Sequence, residues 1–351
     1  VVQLALRNSP AVRAAGKSVE AAEGRVLQAG RIPNPTFAVA WNESPSLFKP
    51  GEAIERDVRL SQPIEFPTKR GSRVDLASAD AGIQRLQLDR TILLVKTAAA
   101  QAYFALLFSQ KLKAHVDEQS VLAKDLERLV AARYRAGTGS YLDLVRARIE
   151  VARLGNDAVD ALRELDAHRR ELLLLIGDDG DRAGTLTDDF PAVSAIGTID
   201  SVAHSLVARS MLLTIARETE QREQLGVAVA RSAFLPDFEI GIAHQRRAGA
   251  VHLWGIEIQA SLPLWFWQDP KGQAQEAAAR HDIAMLERVA LDRRVHAAVR
   301  DALGALVAAL NQLNTFDRSL LSDAREIVST SLRHYESNQA DLLTLLDVFR
   351  T

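Results

Sequence analysis

The spacing of apolar positions switches between helical and strand periods along this chain, and the same switches recur in the same order some 200 residues later. Residues 1 to about 31 place Leu4, Ala11, Ala15, Val19, Ala22 and Val26 at helical spacing. Pro33-Asn34-Pro35 ends that helix, because proline lacks a donor and disfavours helical conformation in the residue before it. From Thr36 to Asn42 the large apolar residues Phe37, Val39 and Trp41 alternate with small or polar ones, which predicts a strand with one apolar face. A Pro-, Ser- and Gly-rich loop, Glu43 to Gly51, leads to a second alternating run at about 54–63, with Val58 and Leu60 on one side and Asp57, Arg59 and Ser61 on the other. The two runs read as a hairpin. Helical spacing returns at Gly71 and holds to about Ala136, long enough for a rod of roughly 100 Å. Leu112, Val116, Gln119, Leu122, Leu126 and Leu129 form a coiled-coil seam on it. After Gly137 a second helix is predicted from about Tyr141 to Ile176, and Gly177 to Gly197, dense in Gly and Asp, reads as a linker.

The programme then repeats. A helix at about 199–230 ends at Phe234-Leu-Pro236, and Asp237–Gln245 and His252–Leu262 alternate around a turn at Arg246–Val251. Phe238, Ile240, Ile242, Trp254, Ile256 and Ile258 make the apolar face of this second hairpin. Pro263-Leu-Trp-Phe266 matches Pro63-Ile-Glu-Phe66, and another long helix runs to about Ser337. The turn segments agree best: Arg133–Val145 and His334–Leu346 put Tyr134 on Tyr335, Gly137 on Asn338, Leu142 on Leu343 and Leu144 on Leu345, all at an offset of 201. Such self-similarity marks an internal duplication. The expected organisation is a first repeat over 1–180, a linker over 181–198 and a second repeat over 199–351, cut short at its C-terminal end.

Four strands of about ten residues cannot close a barrel, which needs about eight or more. An open sheet would leave both edges and an apolar patch exposed, and symmetric association of three copies, giving twelve strands, removes both problems. The long helices, continuous with those strands, would project from one end as a tube. The expected fold class is therefore mainly α with a small β part: internally duplicated long helical hairpins forming an α-barrel, plus four strands contributed to a trimeric 12-stranded membrane β-barrel.

Composition narrows the functions. The net charge of −2, with 25% charged residues of both signs, gives no basic field for nucleic acid. Without cysteine there is neither a disulfide frame nor a thiolate ligand or nucleophile. The most apolar helical run, Thr91 to Phe108, is interrupted by Lys96 and Gln101, so a membrane-crossing helix is not expected, whereas a β-barrel stays open. Val1 and Thr351 both fall inside helical patterns, which reads as a mature or trimmed fragment.

At Ala29-Gly-Arg-Ile-Pro-Asn-Pro-Thr-Phe37, at Leu60-Ser-Gln-Pro-Ile-Glu-Phe-Pro-Thr-Lys-Arg-Gly-Ser-Arg73 and at the two turn segments, the chain resembles the TolC-type outer-membrane factors, in particular their heavy-metal efflux (CzcC-like) branch. It departs at Pro67-Thr68, where members often carry glycines, and lacks the segment with a lipid-bearing cysteine. The resemblance implies a homotrimeric duct in the Gram-negative outer membrane, reaching into the periplasm to an adaptor (membrane fusion) protein and an inner-membrane RND pump. The turns would then be the periplasmic tip, where an acidic residue after the first turn and a tyrosine before the second help to hold the family's pore closed. Asp143 and Tyr335 match those positions, with Tyr134, Arg135, Gly137, Thr138, Asn338 and Asp341 as further gate or adaptor contacts. Ala340 stands where the second turn would carry arginine, so any lock would use fewer charge-assisted bonds or recruit Asp341 or Arg135. The alternative roles are plain ones: Asp143 as a helix cap and Tyr335 as packing.

Lys69, Arg70 and Arg73, where the second strand becomes a helix, would sit at headgroup level, worth about 1 kcal/mol each; a solvated helix start is the alternative. Alternation puts Asp57, Arg59, Glu239, Glu257 and Gln259 on the lumen side. His244 and His252 could face each other across their hairpin, but no third ligand is spaced to complete a metal site. No catalytic motif or cofactor signature is present, and the reading is a passive conduit for heavy-metal cations. Its rivals are a TolC-type exporter of drugs or other small molecules, a soluble coiled-coil scaffold and, least, a helical-bundle metalloenzyme.

Overall fold

The computed structural model describes residues 1–42, 55–178, 186–191, 198–247, 251–262, 264–265, 267–316, 318–337 and 339–350. Asn338, Pro263, Phe266, all of the loop expected at 43–51, most of the linker expected at 181–198 and the centre of the turn at 246–251 lie outside them. In chain order the elements are α1 (Val2–Asn8), α2 (Pro10–Ala29), β1 (Thr36–Asn42), β2 (Glu55–Ile64), α3 (Pro67–Arg135), α4 (Tyr141–Ile176), α5 (Ile199–Ala208), α6 (Met211–Ser232), β3 (Asp237–Arg247), β4 (Val251–Ser261), α7 (Asp269–Thr315), α8 (Arg318–Glu336) and α9 (Leu342–Arg350). The chain is mainly helical with one small sheet, in the duplicated order read from the sequence.

Three helices read as continuous are in fact broken. Ser9, forced out of the helical region by Pro10, ends α1 at φ −61°, ψ 117°. Ser210, 201 positions on, adopts φ −64°, ψ 115° between α5 and α6 without a proline. The two repeats thus share a kink that only the first spells out in sequence. The third break, between α7 and α8, follows Asn311, Asn314 and Thr315, where Thr315 Oγ1 donates to the Asn311 carbonyl at 2.9 Å. Such side chains compete with the helical ladder. In the other direction, α3 starts at Pro67 and not at Gly71, since proline at the first helical position lacks a donor the helix does not need.

The chain forms two compact units. One, residues 11–91 and 207–296, holds the sheet. Its order is β1-β2-β3-β4, antiparallel throughout, with β1 and β4 as edges. The central pair joins the two halves of the chain, Leu60 facing Ile242 and Val58 facing His244. Gly241 lies under β2, and a Cβ there would meet Ser61 Cβ at 3.2 Å and the Leu60 carbonyl at 3.3 Å. Ion pairs Arg222–Asp80 (2.9 Å), Arg85–Glu23 (2.7 Å) and Arg288–Glu220 tie the helices of this unit.

The other unit comprises residues 1–10, 92–206 and 297–351. One core, Ala102, Leu106, Leu165 and Leu172, joins α3 to α4. Gly177 ends α4 in the left-handed region at φ 67°, and Asn8 Nδ2 donates to the Ile176 carbonyl at 2.6 Å. A side chain at Gly177 would collide with Asn8, its Cβ falling 2.9 Å from Asn8 Cβ. The described linker residues lie on α3: Leu186 N donates to Gln110 at 3.2 Å and Tyr103 donates to Asp188.

The expectation about membrane-crossing helices needs correction. By length and composition α3 and the stretch Ile199–Ser232 each carry an 18-residue window apolar enough to cross, with mean hydropathy of 1.6 and 1.2. Only 22% and 17% of those windows is buried within the chain. Two scattered polar residues do not keep a helical run below that threshold. The helices keep apolar surface that a single chain does not cover.

Candidate functional site: the paired turns and the two-faced sheet

The first turn is built by backbone geometry. Gly137 takes φ 75°, where a Cβ would be strained, and the Thr138 and Gly139 N–H groups both donate to the Arg133 carbonyl, at 3.0 and 3.1 Å. Thr138 Oγ1 adds a bond to the same carbonyl at 3.2 Å. Ser140 caps α4, accepting from Leu142 N at 3.1 Å. Asp143 is therefore not the cap. It lies in the first helical turn, where the helix dipole favours a carboxylate, 3.8 Å from Arg146.

The second turn repeats the backbone bond, Gln339 N donating to the His334 carbonyl at 2.8 Å, and adds a side-chain cap. Asp341 accepts from Thr344 N at 2.9 Å and from the Thr344 hydroxyl, capping α9. Those donors hold its carboxyl below the usual aspartate range. Arg135 donates to its own helix, to the Ala131 carbonyl at 3.3 Å. Both residues that could be recruited in place of the missing arginine are thus engaged locally, which leaves a lock with fewer charge-assisted bonds.

The equivalent tyrosines differ. Tyr134 is 42% exposed and leans on Tyr141, with ring centroids 5.8 Å apart. Tyr335 is 5% exposed, packed with Leu126, Val130, Leu144, Leu342 and Leu345. Arg133 joins the two turns: its Nη1 donates to the Tyr335 carbonyl at 2.8 Å, and its guanidinium lies 4.8 Å from the Tyr335 ring centroid. Burial pushes the Tyr335 phenol above its ordinary range; the Arg133 guanidinium pulls against that shift and the Asp143 carboxylate adds to it. Arg133, Thr138, Asp143, Tyr335 and Asp341 line one cleft of about 380 Å³. The sequence reading passed over Arg133, although it opens the repeated segment one position before Tyr134.

The register places Asp57, Arg59, Glu239, Glu257 and Gln259 on one face of the sheet. Arg59 bridges to Glu257 at 2.8 Å although β3 runs between their strands. Gly241 and Ala243 are the β3 residues beneath that bridge, and they are small enough to let it pass. Asn42 Nδ2 donates to Asp57 at 3.0 Å. The other face carries Phe37, Val39, Trp41, Val58, Leu60, Phe238, Ile240, Ile242, Trp254, Ile256 and Ile258, and on β4 these are very open, Trp254 75% and Ile256 80% exposed.

Of the three basic residues after β2, Lys69 pairs with Asp237 at 2.8 Å and Arg73 with Glu65 at 2.5 Å, while Arg70 is exposed. His244 and His252 do meet, Nε2 to Nδ1 at 3.1 Å, with rings stacked 5.2 Å apart. Among the described residues no cluster of three metal-ligating side chains gathers around them or elsewhere.

Comparison with known proteins agrees with this architecture. The chain is 23% identical over 350 residues to the cobalt-zinc-cadmium resistance protein CzcC of Cupriavidus metallidurans, covering 96% of this chain and 79% of that one. Its fold is similar to that of the Vibrio cholerae outer membrane protein VceC, with TM-score 0.81, 17% identity, and 99% and 88% of the two chains covered. It is also similar to CusC, with TM-score 0.79, 16% identity, and 99% and 84% covered. The model of the outer membrane efflux proteins matches residues 1–178, and with half the chain so matched, in a fold that carries both the helical hairpins and the membrane strands, this protein belongs to the outer membrane efflux protein family.

Proposed function

We propose that this outer membrane efflux channel works as a homotrimer, as the passive exit duct of a tripartite system with a periplasmic adaptor and an inner-membrane RND pump, and that its cargo is heavy-metal cations. The observation that carries the trimer is the sheet. Two unpaired edges and an apolar face, on strands as exposed as β1 and β4, are unstable in any single copy. Joining β1 of one copy to β4 of the next continues the antiparallel order, and three copies close it. Eleven residues at about 3.4 Å each span about 37 Å, which at a tilt of about 45° covers about 26 Å of depth, the height of a membrane barrel's apolar band. The uncovered apolar windows of α3 and of residues 199–232 would be buried by neighbouring helices in the same assembly.

Cation cargo is favoured by the CzcC relative, whose likeness runs along 96% of this chain. The acidic face of the sheet, with Asp57, Glu239 and Glu257, would line the lumen and suits passage of cations. Expressed with its co-encoded pump and adaptor in a metal-sensitive Gram-negative host, the protein should raise the cobalt, zinc or cadmium concentration that stops growth. Protection against dyes or detergents without protection against cations would move it to the drug exporters.

The paired turns are the proposed gate at the periplasmic mouth. Arg133 and Asp143 on one hairpin and Tyr335 on the other form the latch, and a charge-assisted hydrogen bond contributes about 1.5–3 kcal/mol per copy. In planar bilayers Asp143→Asn and Tyr335→Phe should raise resting conductance; conductance equal to that of the unaltered channel would remove them from the latch.

A further inference from the structure

The four tryptophans of the chain stand in two tiers, one toward each end of the sheet's apolar face. Trp41 and Trp254 lie on that face toward the hairpin ends of β1 and β4. Trp265 and Trp267 follow the other end of β4, just before α7 begins. Between the tiers the β4 residues of the face are Ile256, Ile258 and Ala260, and Leu262 follows at the same parity. The connection after β4 is itself apolar: Leu262, Leu264, Trp265 and Trp267 are each more than half exposed, Trp265 at 60% and Trp267 at 55%. Its backbone is bonded locally at two points, Leu264 N donating to the Leu262 carbonyl at 2.8 Å and Gln268 N to the Trp265 carbonyl at 3.0 Å. The first repeat supplies a comparison within the chain. Trp265 matches Glu65, which pairs with Arg73 at 2.5 Å in a connection of two residues between β2 and α3. One copy of the duplicated connection is thus short and charge-paired, while the other is seven residues long and presents indoles outward.

Water is a poor medium for four large apolar side chains so close in sequence, and hydrocarbon is a poor one for a connecting backbone. The headgroup boundary of a bilayer suits both, because an indole there keeps its apolar body toward hydrocarbon and its N–H toward water. Depth agrees with that position. From Trp254 to Leu262 the chain advances eight residues, about 27 Å, or about 19 Å of depth at a tilt of about 45°, so the turn opens in the last few ångströms of an apolar band about 25 Å tall. Charge agrees as well. Lys69 bonds Asp237 at 2.8 Å and Asp237 pairs with Ser261, so the basic start of α3, with Arg70 exposed, lies at the level where the turn begins. Lipid phosphates attract basic residues at that depth. We infer that Leu262, Leu264, Trp265 and Trp267 form an anchor in the phospholipid headgroup boundary of the inner leaflet, one per copy, which fixes the depth at which strand gives way to helix. This rests on the proposal that the apolar face meets lipid.

The test reconstitutes the full chain into phosphatidylcholine vesicles whose acyl chains carry bromine either near the headgroups or deep in the hydrocarbon, and reads tryptophan fluorescence. Trp41→Phe with Trp254→Phe leaves the two indoles of the turn; Trp265→Phe with Trp267→Phe leaves the two of the strands. The turn indoles should be quenched about twofold more by the shallow bromines than by the deep ones. If a doubly substituted chain does not assemble, Trp265→Phe alone serves, and shallow quenching should then fall by about a quarter relative to the unaltered chain. Quenching of the strand indoles without quenching of the turn indoles is the outcome if a neighbouring copy covers the turn, and it would overturn the inference while leaving the barrel reading intact. Stronger quenching of the turn indoles by the deep bromines would overturn it too, since the segment would then lie in hydrocarbon. No quenching of either pair would instead sink the barrel reading beneath it.

Discussion

The sheet and the paired turns meet the same need, satisfying polar groups while covering apolar ones, in opposite ways. In the turns each chain closes its own contacts: Ser140 and Asp341 cap the returning helices, Arg133 reaches the Tyr335 carbonyl, and Tyr335 is buried among leucines. In the sheet the polar face is closed, by Arg59–Glu257 and Asn42–Asp57, but the edges and the apolar face are not. Both edge strands are exposed along their length, and the isoleucine face has no cover among the described residues. On the proposed function, the self-contained region would switch state within one chain, and the unfinished one would be completed by other copies and a lipid phase. That division fits a duct whose membrane end is permanent and whose inner end opens.

The contrast can be broken most forcefully at the sheet. Ile256→Arg puts a charge on the face assigned to lipid, at a cost of about 2–4 kcal/mol per chain near mid-membrane. Gel mobility of unheated samples should show the assembly lost, while Glu257→Gln, one residue along on the other face, should leave it intact. Equal tolerance of both would erase the distinction between faces. Arg133→Ala removes a bond of about 1.5–3 kcal/mol, toward the lower end because that bond is only part-buried. It should raise resting conductance and leave assembly unaffected, the reverse of the Ile256 result. Gly177→Ala should destabilise by about 1–2 kcal/mol through its left-handed backbone, and more through the Asn8 collision, seen as a lower melting temperature with assembly unchanged.

The smallest effect concerns acid. The Asp341 carboxyl is held below the ordinary aspartate value of 3.8 by the Thr344 donors. Its contribution is therefore present above that value and lost as pH falls toward the lowered one in the folded chain. Asp341→Asn keeps a capping oxygen and cannot titrate, so its melting temperature should decline less steeply below pH 3.8 than that of the unaltered protein.

Period and punctuation made much of this legible. Alternation assigned both faces of all four strands, because every residue named on a strand kept its predicted side. The offset of 201 places both turns from the sequence alone. What stayed hidden depends on pairs remote in sequence. The break at Ser210 has no proline to announce it, and the Arg59–Glu257 bridge depends on two small residues of β3 beneath it. In the sequence Arg133 is one more charge on a long helix, and only the fold sets Tyr335 against it. The capping residues were not legible for a related reason: Ser140 and Asp341, not Asp143, sit one residue outside their helices, and which oxygen turns inward is decided by local backbone geometry.

The central claim is that one chain supplies a third of a closed barrel. Mass in detergent, by native mass spectrometry or sedimentation corrected for bound detergent, tests it most directly. Three chains of 38.4 kDa in one particle are predicted, while a monodisperse, folded monomer would contradict the account.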